Sequence, residues 1–210
     1  MDSRAWDERY AATPEPVWGV EPNRFVVEEV ARLEPGRALD LAAGEGRNAV
    51  WLAERGWRTT AVDFSRVAVE RGKRLARERG VEVEWLVADL LSYQPPQSAF
   101  DLVLLAYLHL PAADLALVLR RARAALAPGG CLLSVGHDVA NLTDGVGGPQ
   151  DPAVLHRVDA IVAELAGLEI RRAETARRPV QVEGRTVEAL DTVVVAVRGN
   201  GDEVATKGSM

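Results

Sequence analysis

The 210-residue sequence has one cysteine, Cys131. That excludes an intrachain disulfide and a cysteine-based zinc cluster. Cys131 lies in the apolar run CLLSV, where a free thiol reads as core and not as a nucleophile. Basic excess is also missing: 25 Lys and Arg face 31 Asp and Glu, a formal net charge of −6. A nucleic-acid partner rewards a basic face, so none is expected. No apolar run approaches the ~20 residues of a membrane helix. The charged start MDSRAWDERY has no apolar h-region of a signal peptide. Together these absences lead to the expectation of a cytoplasmic protein with no membrane partner. Only three histidines occur, and no His/Asp/Glu spacing suggests a metal site.

What is present is a regular alternation. Apolar residues make up 48% of the chain, enough for a substantial core. Residues 1–20 carry Trp6, Tyr10 and Trp18 among charges, as expected of an arm that packs onto the domain. PNRFVVEEVARL (22–33) places Phe25, Val26, Val30 and Leu33 on one helical face, with Pro22 in its first turn. Strands follow at ALDLA, WRTTAVD, VEVEWLVAD, FDLVLLAYL and CLLSVGH. Helices alternate with them at RNAVWLAERG, at RVAVERGKRLARERG behind Ser65, and at PAADLALVLRRARAAL up to Pro128-Gly129-Gly130. Residues 139–151 lack an apolar period and read as a lid loop; PAVLHRVDAIVAEL then reads as one helix. LEIRRAETARRPVQV and VEALDTVVVAV flank the turn EGR as an antiparallel hairpin. The expected fold is α/β: a doubly wound, mostly parallel, seven-stranded Rossmann-like sheet, with a C-terminal antiparallel hairpin and an N-terminal helical arm. Residues 1–198 form a single domain in this reading, with 1–34 as arm and helix over the site. Residues 199–210 are a polar tail.

In such sheets ligands sit beyond the carboxyl ends of the strands. The first strand leads into Asp40-Leu41-Ala42-Ala43-Gly44-Glu45-Gly46. Gly44 to Ala49 fits the loose G-x-G-x-x-A of a dinucleotide loop, so a pyrophosphate ligand is one reading. Asp40 opposes it: a carboxylate beside the turn repels phosphate and suits an ammonium group. Asp63 ends the second strand and can take both hydroxyls of a ribose. Asp89 ends the third and can accept from an adenine amine, with Leu90 offering its backbone N–H. An amine, a ribose and an adenine together outline S-adenosylmethionine.

With these residues in order, the sequence resembles the class I S-adenosylmethionine-dependent methyltransferases. LDLAAGEGRNA resembles their first motif, TTAVDFS the acidic loop, VADLL the adenine loop, FDLVLLAYLHLP the third motif and LAPGG the turn before strand five. WDERY…PVWGVEPNRFV with GEGRNAVWLA resembles the group around the tellurite-resistance and thiopurine methyltransferases. The resemblance implies a small-molecule substrate, and cofactor contacts from Trp18, Arg24, Asp40, Ala42, Gly44, Gly46, Asn48, Asp63, Phe64, Asp89, Leu90 and Ala106. Arg24 would pair with the methionyl carboxylate, and Trp18 would close over the cofactor. The family usually has glycine where Ala42 stands; an alanine is harmless there if its backbone φ is negative.

A sulfonium methyl is already electrophilic, so such an enzyme mainly aligns reactants and excludes water. A thiolate or a selenium or tellurium anion needs no base. A hydroxyl does, and His137 and His109, at the ends of strands five and four, are the candidate catalytic residues. His156 reads as a helix-face residue. Arg171, Arg172, Arg177, Arg178 and Arg185 alternate with Glu169, Glu174, Glu183 and Glu188, which reads as a solvated mixed-charge face. No N-P-P-Y follows strand four, against an amino-methylating nucleic-acid enzyme. An NAD-dependent oxidoreductase and a non-catalytic cofactor-binding module are the competing readings. Monomer and homodimer are both open.

Overall fold

The computed structural model describes residues 2–200, so most of the 199–210 tail lies outside the described residues. In chain order the elements are α1 (Ser3–Ala11), α2 (Arg24–Val30), β1 (Arg37–Leu41), α3 (Arg47–Glu54), β2 (Arg58–Asp63), α4 (Arg66–Arg79) and β3 (Glu84–Val87). Then come β4 (Phe100–Ala106), α5 (Ala112–Ala125), β5 (Leu126–His137), α6 (Asn141–Asp144), a 3-10 turn (Pro152–Val154), α7 (Val158–Glu164), β6 (Glu169–Val182) and β7 (Arg185–Val197). The seven strands lie in the order β3-β2-β1-β4-β5-β7-β6, with β7 antiparallel to both neighbours. The chain therefore has the expected doubly wound sheet and C-terminal hairpin. The order reverses between β1 and β4, so the crevice for a ligand opens there.

Side chains alternate across a strand, and the two faces of the sheet make two cores. Leu39, Leu41, Val103 and Leu105 pack with Leu115, Leu119 and Ile161 on the α5–α7 side. Ala38, Leu102 and Leu104 pack with Phe25, Val26, Trp51 and Leu52 on the α2–α3 side. Asp40 shares the parity of Ala38 and so points toward α3, into a layer otherwise built from apolar residues.

The capping chemistry holds where it was legible. Ser65 accepts from the Ala68 amide to open α4, and Gly80 closes it at φ 68°. Other boundaries move for stated reasons. Asn23, not Pro22, starts α2, because its side chain accepts from the Phe25 amide. The third strand is confined to Glu84–Val87. Leu126 already pairs with Phe100, so β5 begins before the Pro128-Gly129-Gly130 turn, with a register shift between Phe100 and Leu102. The 152–165 segment is not one helix. The His156 amide donates to the His137 carbonyl, and the Val139 amide donates to the His156 carbonyl, at 2.9 Å each. Those bonds extend β5 past its carboxyl end, where β4 no longer pairs with it, and are lost to a helix. His156 is therefore buried between the 3-10 turn and α7, and not on a helix face.

The arm packs as expected. Asp7 on α1 accepts from the Ser65 hydroxyl at 2.5 Å and the Val67 amide at 3.2 Å, tying the arm to the start of α4. The lid segment is pinned from within: Asn141 donates to the carbonyls of Val146 and Gly147 and accepts from the Leu190 amide. Among the described residues no helix is long and apolar enough to cross a membrane.

Candidate active site at the strand ends

The loop after β1 turns sharply over the ends of the strands. Gly44 has φ 57°, and a Cβ there would stand 3.0 Å from the Tyr10 hydroxyl. Gly46 opens α3 at φ 81°, and a Cβ there would collide with the Trp85 ring at 2.2 Å. These two positions take glycine for both conformation and space. Ala42 also sits in the left-handed region, at φ 60°. The premise that its φ is negative is thus corrected: the turn needs a conformation that strains an L-residue.

Asp40 is 1% exposed, and neither carboxylate oxygen has a hydrogen-bond partner among the described residues. Burial, and then the charge of Asp63, push its pKa up to about 8. An acid held this way is unsatisfied until a donor, preferably a cation, reaches it. Asp63 is buried too, and burial raises its pKa. Its Oδ2 accepts from the Gly44 amide at 2.8 Å and its Oδ1 from the Ser65 amide at 2.9 Å. It therefore ties the glycine loop to the end of β2, while the second lone pair of each oxygen can still accept.

The remaining predicted cofactor residues fall into two groups. Phe64 and Ala106 are half-buried at the ends of β2 and β4, beside the switch point. Asp89 is exposed after β3 and accepts from the Leu91 amide, while buried Leu90 offers its carbonyl to Arg121. Asn48 is occupied: it accepts from the Asn23 amide at 2.8 Å and anchors the arm. Arg24 is not brought to the crevice; its guanidinium pairs with Glu28 at 3.0 Å on the exposed face of α2. Trp18 is on the rim at 45% exposure, its indole N–H 3.4 Å from the Tyr10 hydroxyl and its ring under Arg9. The arginine that does enter is Arg47, which donates to the Trp18 carbonyl. Burial lowers its pKa, against support from Tyr107 and Asp40. Its place inside the first motif concealed it.

The ends of β4, β5 and β7 gather the histidines. His109 and His137 stack with ring centroids 5.3 Å apart, and Tyr107 lies 4.9 Å from His137 on centroids. His109 Nε2 accepts from the His137 backbone amide at 3.2 Å. Burial, with the nearby imidazoles, drops the His109 pKa to about 3. His156 Nε2 bonds the Leu108 carbonyl at 2.9 Å, and burial lowers its pKa as well. His137 alone faces an anion: its Nδ1 is 3.3 Å from Asp191 Oδ1. Asp191 is fully buried, and its Oδ2 accepts from the Tyr107 hydroxyl at 2.9 Å and from Arg178 Nε at 2.6 Å. Burial alone would raise Asp191; the nearby His137 imidazole and the bond from Arg178 outweigh it and hold the carboxyl below its ordinary value.

Asp191 was not anticipated. It stands in the apolar run EALDTVVVAV of an antiparallel strand, where rules for parallel strand ends do not look. The one available signal was a carboxylate alone among buried positions. Arg178 departs from the solvated face expected of the hairpin: Arg177 pairs with Glu188 and Arg171 with Glu169 on the surface, but Arg178 turns inward. Burial pushes the Cys131 thiol up to about 12, in keeping with a core role. Among the described residues no group of three or more His, Cys, Asp or Glu is placed to hold a metal. A surface groove of about 820 Å³ lies at the amino ends of the strands, lined by Arg37, Arg58, Trp85 and Phe100, away from the crevice.

Comparison with known proteins agrees with this geometry. Residues 38–130, which hold β1 through the turn before Cys131, match the family model of the methyltransferase domain. The chain is 39% identical over 143 residues to the nonribosomal peptide synthetase CymA of Salinispora arenicola, covering 63% of this chain and 2% of that protein. It is 38% identical over 112 residues to the demethylmenaquinone methyltransferase of Thermus thermophilus, covering 52% of this chain and 51% of that one. The matches thus span at most about half the length of these two relatives. A protein solved in work on the conversion of a disulfide bond into a thioacetal group during echinomycin biosynthesis superposes with a TM-score of 0.75, 20% identity and coverage of 96% and 93%. TehB from Haemophilus influenzae superposes at 0.70 with 16% identity, over 84% of this chain and 62% of that one. At such identities these structures establish the fold alone. Residues 38–130 thus match a methyltransferase domain, and the solved neighbours share the fold of the whole sheet.

Proposed function

We propose that residues 1–198 act as one domain that transfers the methyl group of S-adenosylmethionine to a small-molecule nucleophile. The observation that carries this reading is the buried, unpartnered carboxylate of Asp40 beside the glycine loop. The methionyl ammonium would supply the hydrogen-bond donors it lacks and add to the charge of Arg47, whereas a pyrophosphate there would meet a buried acid. Gly44, Gly46 and Ala42 would shape the backbone around the methionyl part, Asp63 would take the ribose hydroxyls, and Asp89 with Leu90 would meet the adenine. Phe64 and Ala106 would border the crevice. The bound cofactor supplies an electrophilic methyl on sulfur.

The chain's own residues hold the acceptor in line and keep water out. The lid (139–151) crosses the histidine cluster: a Cβ on Gly148 would stand 2.7 Å from the His137 ring. Tyr10, Trp6 and Trp18 close the opposite side, over the glycine loop. A net charge of −6 supports a small acceptor over a nucleic acid. The aromatic arm supports kinship with the tellurite-resistance and thiopurine group.

The test is calorimetry with S-adenosylhomocysteine and, separately, with NAD, followed by methyl-transfer assays on thiols, selenite, tellurite and phenols. Binding of the homocysteine compound and transfer to one acceptor class are expected. Tight binding of NAD with no response to the homocysteine compound would defeat the proposal. Cofactor binding with no transfer to any acceptor class would favour a non-catalytic module.

A further inference from the structure

We propose that His137 and Asp191 form a general-base pair, with Asp191 the positioning residue, and that the acceptor is therefore an alcohol or phenol. This inference rests on the methyl-transfer reading above and names its acceptor class.

The groups that face His137 come from every neighbouring element. Asp191 stands opposite it on β7, as its paired residue in the antiparallel register. Arg178 comes from β6, Tyr107 and His109 follow β4, His156 precedes α7, and Asp138 is next along the chain. None of these neighbours is suited to be the base itself. His109 and His156 have their Nε2 atoms engaged by the His137 amide and the Leu108 carbonyl. Asp138 is consumed by the hydroxyls of Thr175 and Thr192 and the Ala140 amide. Tyr107 donates to Asp191.

Tyr107 and Arg178 fix Asp191 Oδ2, while Oδ1 lies 3.3 Å from His137 Nδ1, and each of these two buried atoms has no other partner among the described residues. A buried carboxylate in that place selects the Nδ1–H tautomer and leaves Nε2 free to accept a proton, the same division of roles as in a serine–histidine–aspartate triad. The His137 side chain keeps 14% of its surface exposed, while Asp191 keeps none. One member of the pair can reach a substrate and the other cannot.

Such a pair has work only when the acceptor must lose a proton. A thiolate or a selenium or tellurium oxyanion arrives already anionic. An alcohol or phenol does not. His137 Nε2 takes the hydroxyl proton as the acceptor oxygen bonds to the methyl carbon. The carbon–sulfur bond would break with its electron pair kept on sulfur, which would leave as the neutral thioether, so the positive charge passes from the sulfonium to the His137 imidazolium, which then releases its proton to water.

The experiment has two arms on the full chain. In the first, ¹⁵N-labelled protein is titrated by NMR. The expected result is a His137 imidazole protonated at Nδ1 in its neutral form, with that preference lost in Asp191→Asn and regained in Asp191→Glu. An Nε2–H tautomer in the wild type would overturn the proposal, and this reading does not depend on the variants folding. In the second, methyl transfer to a phenol and to the thiophenol of the same skeleton is followed against pH, for wild type and His137→Gln. Expected is a loss of at least about 100-fold in kcat toward the phenol, the usual scale for a general base, with loss of one ionisation from the pH profile and little change toward the thiophenol. Equal losses for both acceptors, or none, would overturn it. Calorimetry with S-adenosylhomocysteine separates the two layers. Intact cofactor binding with failure of the base test sinks only the dyad, whereas no cofactor binding in the wild type sinks the methyl-transfer reading itself.

Discussion

Asp40 makes the sharpest prediction, because a buried acid without a partner must register in stability. Its pKa rises from 3.8 to about 8 in the folded chain, through burial and then Asp63. Between those values the folded state holds a proton that the unfolded chain has released. Stability therefore falls as pH rises through this window, by ~1.4 kcal/mol per unit for one proton. From pH 4 to pH 7 the accumulated loss is ~4 kcal/mol, a large part of a domain's usual 5–15 kcal/mol. Asp40→Asn keeps the shape and removes the titration. Urea unfolding of both proteins across this range should show the variant gaining on the wild type by that order as pH rises. His109 and His156 titrate in both proteins and cancel in the difference. The ligand side has the matching sign: an ammonium favours the carboxylate, so cofactor binding near pH 7 should release about one proton from Asp40. Calorimetry with S-adenosylhomocysteine in buffers of different ionisation enthalpy reads that release, and Asp40→Asn should abolish it. Parallel stability curves and no proton release would refute the reasoning.

Three further outcomes are expected. Ala42→Gly should stabilise the free protein by ~0.5–1 kcal/mol, since φ 60° strains alanine and suits glycine; a lower urea midpoint for the variant would contradict this. Asp63→Ala should weaken S-adenosylhomocysteine binding by ~1.5–3 kcal/mol, the scale for hydrogen bonds to a charged group, and should speed hydrogen exchange at the Gly44 and Ser65 amides that Asp63 now holds. Unchanged affinity on titration would remove Asp63 from the ribose role. For His109 the sign opposes that of Asp40. A histidine with an ordinary pKa of 6.5 that falls to about 3 in the fold is neutral there and takes up a proton on unfolding. Its contribution is intact above pH 6.5 and is lost as pH falls from there, by ~1.4 kcal/mol per unit. His109→Asn should flatten the acid limb of the stability curve by one proton; an unchanged slope would refute the assignment.

Much of the fold was legible because its signals are local. Ser65 and Gly80 announce the ends of α4 by chemistry that acts within one turn. Asp40 and Asp63 were legible because the carboxyl end of a parallel strand is a predictable place. The misreadings involve partners distant in sequence. PAVLHRVDAIVAEL has a helical period, yet the backbone of His156 is captured by His137 and Val139 just beyond the carboxyl end of β5. Arg178 alternates with acids like any hairpin arginine, and only the fold reveals that Asp191 draws it inward. Ala42 is the subtlest case. A side chain can be read from a sequence, but the sign of a backbone angle at a non-glycine residue cannot. Arg47 shows the same limit, since its direction depends on where the arm returns to offer the Trp18 carbonyl.

The distribution of charge across the switch point explains why the two halves can hold different chemistry. The β1–β2 half carries Asp40 and Asp63, both buried and both with raised pKa, so that half gains from a ligand bearing positive charge. The β4–β5–β7 half carries three histidines, two kept neutral by burial, and two buried acids: Asp191, matched by Arg178, and Asp138, held by the Thr175 and Thr192 hydroxyls. Were Asp191 unmatched, a second buried carboxylate would compete for the same cation. Arg178 offsets that field while leaving Oδ1 toward His137, so in the proposed site Asp191 would orient the imidazole without competing with Asp40 for a cation. Replacing Arg178 with Gln should therefore do more than loosen a hairpin. It should raise the Asp191 pKa and blur the His137 tautomer, and reach Asp40 only through Arg47, which feels both Arg178 and Asp40. A change at the Asp191–His137 pair much larger than at Asp40 in carboxylate and imidazole NMR titrations is expected; equal changes would refute this division.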